Sequence, residues 1–310
     1  SFNRGVTPSP NIMRRVLPSE LRELVNDMPA SSQTIGSPLG ECLWIDESNA
    51  EAGTDLIAGP IMDYVSKSGF RPREDVQVLA PMYKGNAGVA ALNAQLKRRL
   101  NPVLTGSAGP LHVGDRCMME KNDYELNCFN GECGIVTDIG FANGPRGRNR
   151  RATVTVEMEK DRTVIFSSRQ ATNLSLSYAC TVHKSQGQEF PVVIVPCYME
   201  HAHLLERAIC YTALTRAQKL VIFVGQRRAL GYALNRSMAH RRVTGLVERL
   251  TGAVLGGGGD DKMPSRDDSM NHRTMEGGGG VEMKSLERMW EDFGVEEYMP
   301  KDLTPHSANV

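Results

Sequence analysis

The sequence predicts an α/β fold in which helices flank a parallel sheet and a smaller β-rich module is inserted. Residues 192–195 and 220–224 are apolar, β-branched runs of the kind found in strands buried on both faces of a sheet. Between them, residues 208–217 carry apolar side chains at helical spacing. Residues 113–173 instead contain short strand-like runs separated by turn signals such as Asn130-Gly131, a good hairpin signal.

The elements before the insertion alternate between strand and helix. Residues 1–37 are rich in Pro, Ser and Asn, and we expect them to be a connector with one helical stretch around residues 18–25. The patterns then predict, for the first part of the main domain (38–112), a strand at 41–46, a helix at 52–66, a strand at 76–80 and a helix at 87–100. This alternation is typical of a parallel sheet covered by helices.

After the insertion, the main domain is expected to resume at Leu174 and to continue to residue 250, ending in a helical pattern over 228–250. Residues 251–310 contain two runs of four glycines and are predicted to form a disordered acidic tail, because they cannot bury enough apolar area to offset the entropy of ordering. The segment from Ser285 to Phe293 is a candidate short amphipathic helix for a protein partner.

Composition limits the class of protein. Seven cysteines, an odd number without a Cys-x-x-Cys pair, favour a reducing intracellular compartment such as the cytoplasm or nucleoid, or an organelle. No apolar run approaches the ~20 residues needed to span a bilayer, so no membrane association is expected. Residues 256–310 contain 12 acidic and 6 basic side chains; since the net charge is zero, residues 1–255 carry +6. A mildly basic folded part is compatible with phosphate contacts.

Two segments place polar side chains at the ends of the predicted buried strands. Residues 181–190 read Thr-Val-His-Lys-Ser-Gln-Gly-Gln-Glu-Phe, and residues 211–217 read Tyr-Thr-Ala-Leu-Thr-Arg-Ala. The first segment has several hydrogen-bonding side chains directly before Gly187, and a glycine lets a ligand approach the backbone closely. Because α/β proteins bind ligands at the edges of their sheets, both segments are candidate ligand sites.

These segments resemble motifs V and VI of superfamily-1 helicases, most closely those of the RecD-like ATP-dependent DNA helicases. Residues 75–88 resemble motif IV of that family, and residues 114–136 resemble the start of its inserted β-barrel. The resemblance covers about residues 38–250. It implies a RecA-like second motor domain of the UvrD-like C-terminal type, with an SH3-like barrel at 113–173.

The resemblance also implies a nucleotide site. Arg216 is expected to reach the γ-phosphate of ATP and to neutralise charge on the transferred phosphoryl group. Gly187 and Glu189 are expected on the nucleotide side of motif V, where the carboxylate accepts from a ribose hydroxyl or a neighbouring phosphate-sensing group. Lys84 is expected to face the phosphates, at a position where many relatives have arginine.

The resemblance implies that the DNA contacts lie in the first part of motif V, before Gly187. Thr181, His183 and Ser185 are candidates for donation to DNA phosphate oxygens. Tyr83 is a candidate platform on which a single-stranded base stacks. The expected nucleic-acid partner is therefore single-stranded DNA or a junction of single- and double-stranded DNA.

One required element is missing from the sequence. No Gly-x-x-x-x-Gly-Lys-Ser/Thr loop occurs, and no acidic Mg²⁺-binding strand is found, so the ligands of ATP and Mg²⁺ are expected largely in another domain. The chain begins with Ser1, and we expect it to be the C-terminal half of a longer helicase, inactive alone. The resemblance further implies 5′→3′ translocation in DNA repair or recombination.

Two alternatives stay open at this point: a non-catalytic nucleic-acid-binding or regulatory remnant, and the helicase part of a conjugative relaxase. The spacings Cys128-x4-Cys133 and His201-x-His203 are the only metal-like ones, and no metal site is predicted from them.

Overall fold

The structure is a computed structural model that describes residues 13–29, 36–39, 41–102, 105–143, 150–158 and 162–236. Its main body is a six-stranded sheet in which all pairs are parallel, as the alternating pattern predicts. In spatial order the strands are β1 (Met13–Val16), β2 (Cys42–Asp46), β11 (Ala217–Gly225), β10 (Phe190–Cys197), β3 (Val76–Ala80) and β9 (Ala179–Thr181).

Helices cover both faces of this sheet. One face packs against α1 (Pro18–Asp27), α2 (Ala50–Leu56), α3 (Met62–Lys67) and α4 (Val89–Leu100), with a π-helical turn at Ile57–Ile61 between α2 and α3. The other face packs against α6 (Arg207–Arg216) and α7 (Arg227–Asn235). Successive residues of a strand point to opposite faces, so β11 contributes Ile222 to the first core and Phe223 to the second.

The insertion forms a five-stranded antiparallel sheet with its own core. Its strands, in spatial order, are β7 (Arg162–Ser167), β6 (Arg150–Met158), β5 (Cys133–Asn143), β4 (Arg116–Met119) and β8 (Leu174–Leu176), and the short α5 (Ser168–Ala171) links β7 to β8. A predicted β-module is therefore present at this position, and its classification as an SH3-like barrel stays a prediction.

Two boundaries differ from the sequence prediction. Leu174–Leu176 pairs with β4 of the small sheet, and the parallel sheet resumes only at Ala179. The expected connector contributes β1, which pairs with β2, and α1, which buries Leu21 in the main core. Both differences have one cause. Pairing with distant strands decides which sheet a short segment joins, and a local sequence pattern does not contain that information.

Buried polar contacts join the two sheets. Asp115, which is fully buried, accepts hydrogen bonds from Asn101 and Tyr178 and pairs with Lys97 at 2.6 Å. The neighbouring Arg116 donates to three backbone carbonyls of the segment leading into β3. Charged groups are rarely buried without such partners, so the start of β4 is fixed to the main domain.

Within the described ranges, no helix has the length and apolar character needed to cross a bilayer. The predicted acidic tail, its segment from Ser285 to Phe293 and residues 237–250 of the expected terminal helix lie outside the described residues.

Candidate functional site

The segment 181–189 crosses the main sheet from its carboxyl edge to its amino edge. Thr181 ends β9 and is paired with Ala80, the last residue of β3. Glu189 directly precedes β10, whose Val192 is paired with Val76 at the start of β3. At about 3.3 Å per strand residue, the two ends of the segment lie roughly 20 Å apart along the sheet. One short segment therefore touches two separate regions.

At the amino edge, the segment ends beside the C-terminus of α6. Phe190 and Ala217 are register partners, which brings the preceding residues Glu189 and Arg216 next to each other at the edge of the sheet. The Arg216 guanidinium donates through Nη1 to the carbonyl oxygen of Gln188 at 2.9 Å. Its Nε is buried and has no hydrogen-bond partner. The Glu189 carboxylate is exposed and accepts from Gln218 at 3.3 Å.

Gly187 supplies an open stretch of backbone at the same edge. Its φ is +84°, a left-handed conformation that side chains other than glycine rarely adopt. No heavy atom lies within 4 Å of the position that a Cβ would take, so its exposed backbone faces open space. A glycine backbone, a carboxylate and a guanidinium at one edge suit one side of a nucleotide. The structure thus brings three of the four predicted ATP-binding residues together.

Lys84 lies apart from these three residues, and its contact with the phosphates stays a prediction. It lies in the loop that follows β3, and in a parallel sheet that loop emerges at the carboxyl edge, opposite to the amino edge of β10 and β11. The neighbouring Gly85 lies against the side chain of Glu200, which follows the carboxyl end of β10. The family resemblance places Lys84 with the phosphates, whereas the direction of the strands puts its loop at the other edge of the sheet.

A cleft of about 300 Å³ opens beside the edge strand β9. Tyr83, Thr181 and Lys184 line it, together with apolar side chains of α4 and of β8. Tyr83 is 61% exposed, and its ring is available for stacking. Two of the predicted DNA-binding residues, Tyr83 and Thr181, therefore share one cleft. A third, His183, is exposed on the 3-10 turn Val182–Ser185.

Ser185, the fourth predicted DNA-binding residue, faces inwards. It is fully buried, and its hydroxyl donates to the carbonyl oxygen of Val182 at 2.7 Å. A side-chain bond three residues back along the chain is a common way for serine to close a tight turn. In this structure the Ser185 side chain shapes the turn that presents His183, and its DNA contact stays a prediction.

The small sheet holds the crossing segment from the side. Lys184 forms an ion pair with Glu120 at the end of β4, and the amide of Gln188 donates to the carbonyl oxygen of Gly131. Ser175 donates to the other oxygen of Glu120. Burial raises the pKa of Glu120, but the bonds from Lys184 and Ser175 outweigh it and lower the pKa overall. Sequence reasoning missed Lys184 and Glu120 as site residues, and no local signal linked two positions 64 residues apart.

In the part of the chain that the structure describes, no cluster of three His, Cys, Asp or Glu side chains is arranged to hold a metal ion. All seven cysteines are buried, and none forms a disulfide.

A family model described as the UvrD-like helicase C-terminal domain matches residues 176–224. That range contains the whole crossing segment, α6 and most of β11. The predicted resemblance of this region to the UvrD-like helicase C-terminal domain is thereby confirmed.

Curated helicase proteins are similar to this chain over a longer range. The chain is 36% identical over 178 residues to the ATP-dependent RecD2 DNA helicase of Deinococcus radiodurans, covering 56% of this chain and 23% of that protein. It is 32% identical over 179 residues to the RecBCD enzyme subunit RecD of Mycolicibacterium smegmatis, covering 57% of this chain and 29% of that protein. The chain thus spans about a quarter of the length of the curated relatives it matches.

Among solved structures, Bacteroides Pif1 bound to single-stranded DNA matches with a TM-score of 0.33 and 20% identity. The match covers 48% of this chain and 40% of that chain.

Proposed function

We propose that this chain is the second motor domain of an ATP-dependent DNA helicase, which moves along single-stranded DNA and works with a separate phosphate-binding domain. The observation that carries the proposal is the crossing segment 181–189. One of its ends lies at the nucleotide-like amino edge, and its other end lies at a cleft suited to a nucleic-acid strand. A motor must connect such sites, and a short, well-anchored segment is a direct connection.

At the amino edge, the residues of this chain have separate tasks. The Arg216 guanidinium neutralises negative charge that develops on the phosphoryl group, while its bond to Gln188 keeps it oriented. The exposed Glu189 accepts hydrogen bonds from a sugar hydroxyl. Gly187 lets the nucleotide approach the backbone, since no side chain occupies that space. The phosphate-binding loop and the ligands of Mg²⁺ come from the other domain, because the 310 residues contain no such loop.

At the carboxyl edge, Tyr83 stacks on a base, and Thr181 and His183 donate to phosphate oxygens. These short polar groups position the strand without reading its sequence. A change at the amino edge reaches the strand through the 3-10 turn, which packs against both α6 and β3. The proposed 5′→3′ direction and a role in repair or recombination derive from the resemblance to RecD-like helicases.

The proposal is tested by joining the chain to the phosphate-binding motor domain of a RecD-like helicase and measuring DNA-stimulated ATP hydrolysis. Arg216→Ala should lower the turnover by about 10³–10⁵, the usual effect of removing such an arginine. The affinity of the Arg216→Ala protein for single-stranded DNA should stay unchanged. Arg228→Ala removes an equally charged, exposed side chain of α7 and serves as the control. An active Arg216→Ala protein would exclude the motor role.

A joined protein that binds DNA but hydrolyses no ATP, even with every residue intact, would favour the non-catalytic binding module. The chain by itself should bind single-stranded DNA and show negligible ATP hydrolysis.

A further inference from the structure

Lys184 and Glu120 form an ion pair at the mouth of the cleft. Both residues line the cleft beside Tyr83 and Thr181. Their side chains keep 38% and 33% of their exposure, so water reaches both charges. An ion pair this exposed contributes little to stability and is easily exchanged for another partner.

The Glu120 carboxylate stays charged at neutral pH, since the hydrogen bonds that it accepts from Lys184 and Ser175 stabilise its ionised form. Glu120 thus places a negative charge in a cleft whose other features suit an anionic polymer. Its floor is apolar, formed in part by Val89, Leu176 and Ala179, and bases can rest on such a surface. Its rim carries an exposed tyrosine, a hydroxyl and an ammonium group.

We infer that Glu120 controls how tightly the cleft binds single-stranded DNA, because it holds the Lys184 ammonium that would otherwise contact a phosphate. When a strand enters, Lys184 leaves Glu120 and donates to a phosphate oxygen. The freed carboxylate then lies beside the DNA without its ammonium partner and opposes binding. Glu120 is a positioning residue for Lys184, and it keeps affinity low enough for the strand to move on. This inference rests on the proposed DNA-binding function.

The exchange makes a specific prediction about salt. Each phosphate that a lysine neutralises releases counterions and steepens the dependence of log K on log salt by about 0.7 for a single strand. In the natural chain the freed Glu120 takes up a cation, which cancels that release. In Glu120→Gln the release is no longer cancelled. This variant should bind about three- to tenfold more tightly at low salt, with a slope steeper by about 0.7.

The experiment measures binding of fluorescein-labelled oligo(dT) to the full chain by anisotropy between about 50 and 200 mM salt. Four variants are compared with the natural chain: Glu120→Gln, Lys184→Gln, the double variant, and Glu132→Gln. Glu132 is the matched control, because it forms an ion pair with Arg162 on the same small sheet, is 37% exposed and does not line the cleft. Glu132→Gln changes the net charge by the same amount as Glu120→Gln.

The inference requires tighter binding and a steeper salt slope for Glu120→Gln alone, and loss of that gain when Lys184 is also replaced. It is overturned if Glu132→Gln has the same effect, since the gain would then reflect net charge only. It is also overturned if Glu120→Gln weakens binding in a folded chain, because the ion pair would then be a structural tether. If the natural chain binds no oligo(dT) at all, the proposed DNA-binding function itself fails.

Discussion

The carboxylate of Glu200 accepts a hydrogen bond from the amide of Ala87, with 2.9 Å between Oε1 and N. Glu200 follows β10, and Ala87 precedes α4, so the bond connects two loops at the carboxyl edge of the sheet. The loop before α4 carries Tyr83, and a Cβ at Gly85 would lie only 3.1 Å from the same carboxylate oxygen. Glu200 therefore helps to hold the loop that carries the exposed tyrosine.

We expect Glu200→Ala to loosen this loop. The Ala87 amide loses its acceptor, which costs about 1–2 kcal/mol locally, so its hydrogen exchange should accelerate by about tenfold. The affinity for oligo(dT) should fall several-fold because Tyr83 is no longer held in place. Glu200→Gln keeps an acceptor oxygen and is the control. Equal exchange rates at Ala87 in both variants would show that the bond does not order the loop.

Arg116 fixes the small sheet to the amino edge of the main sheet. It is 4% exposed, donates to the carbonyls of Arg73, Glu74 and Val76, and lies over the ring of Phe190 at 5.7 Å. Arg116→Met should destabilise the chain by about 3 kcal/mol, because three acceptors lose their donor.

Urea unfolding measures the effect of Arg116→Met. The exposed Arg98 of α4 offers a matched control, and Arg98→Met should stay within about 0.5 kcal/mol of the natural chain. Arg116→Lys should recover only part of the loss, since one ammonium group lacks the planar fork of the guanidinium. Similar losses for Arg116→Met and Arg98→Met would remove Arg116 from this role.

The sequence predicted the parts of the fold in which a local pattern matches a buried environment. The apolar runs at 192–195 and 220–224 became the central strands β10 and β11, because strands buried on both faces need apolar side chains throughout. The helix ahead of β11 followed from its apolar spacing. In the same way, the turn signals at residues 113–173 marked the antiparallel insertion.

The other parts of the fold and of the site depend on contacts between segments far apart in the chain, which no local sequence pattern contains. The four residues of β1 include two arginines and form a strand only because β2 offers a free edge. The family resemblance groups Lys84 with Arg216, although the direction of the strands puts their segments on opposite edges. The ion pair of Lys184 with Glu120 joins two sheets and becomes visible only in the folded chain.

The cysteines should be unreactive in the folded chain. Burial raises the pKa of Cys42 and of Cys180 to about 12, so at pH 8 only about 10⁻⁴ of each thiol is the reactive thiolate, against about a quarter for an exposed cysteine. An aromatic disulfide reagent should therefore label the folded chain slowly and all seven cysteines rapidly in denaturant. Rapid labelling of Cys180 in the folded chain would contradict its burial beside the cleft.

Gly187 and Gly109 provide a matched pair for testing the amino edge. Both have positive φ, +84° and +62°, and neither has a heavy atom within 4 Å of where a Cβ would lie. Alanine at either position meets no neighbouring atom. Each substitution should therefore lower the free energy of unfolding only by the cost of holding alanine in a left-handed conformation, about 1–2 kcal/mol. Urea unfolding should show similar losses for both.

Their effects on catalysis should differ, because only Gly187 belongs to the segment that ends at Glu189 and is bonded to Arg216 through Gln188. Straining the backbone there displaces the carbonyl that orients the guanidinium, and misplacement of about 1 Å can cost 10²-fold in rate. In the chain joined to a phosphate-binding motor domain, Gly187→Ala should lower ATP hydrolysis by about 10- to 100-fold, and Gly109→Ala should leave it near normal. Equal rates in the two variants would mean that the backbone at Gly187 has no part in holding Arg216 at the nucleotide.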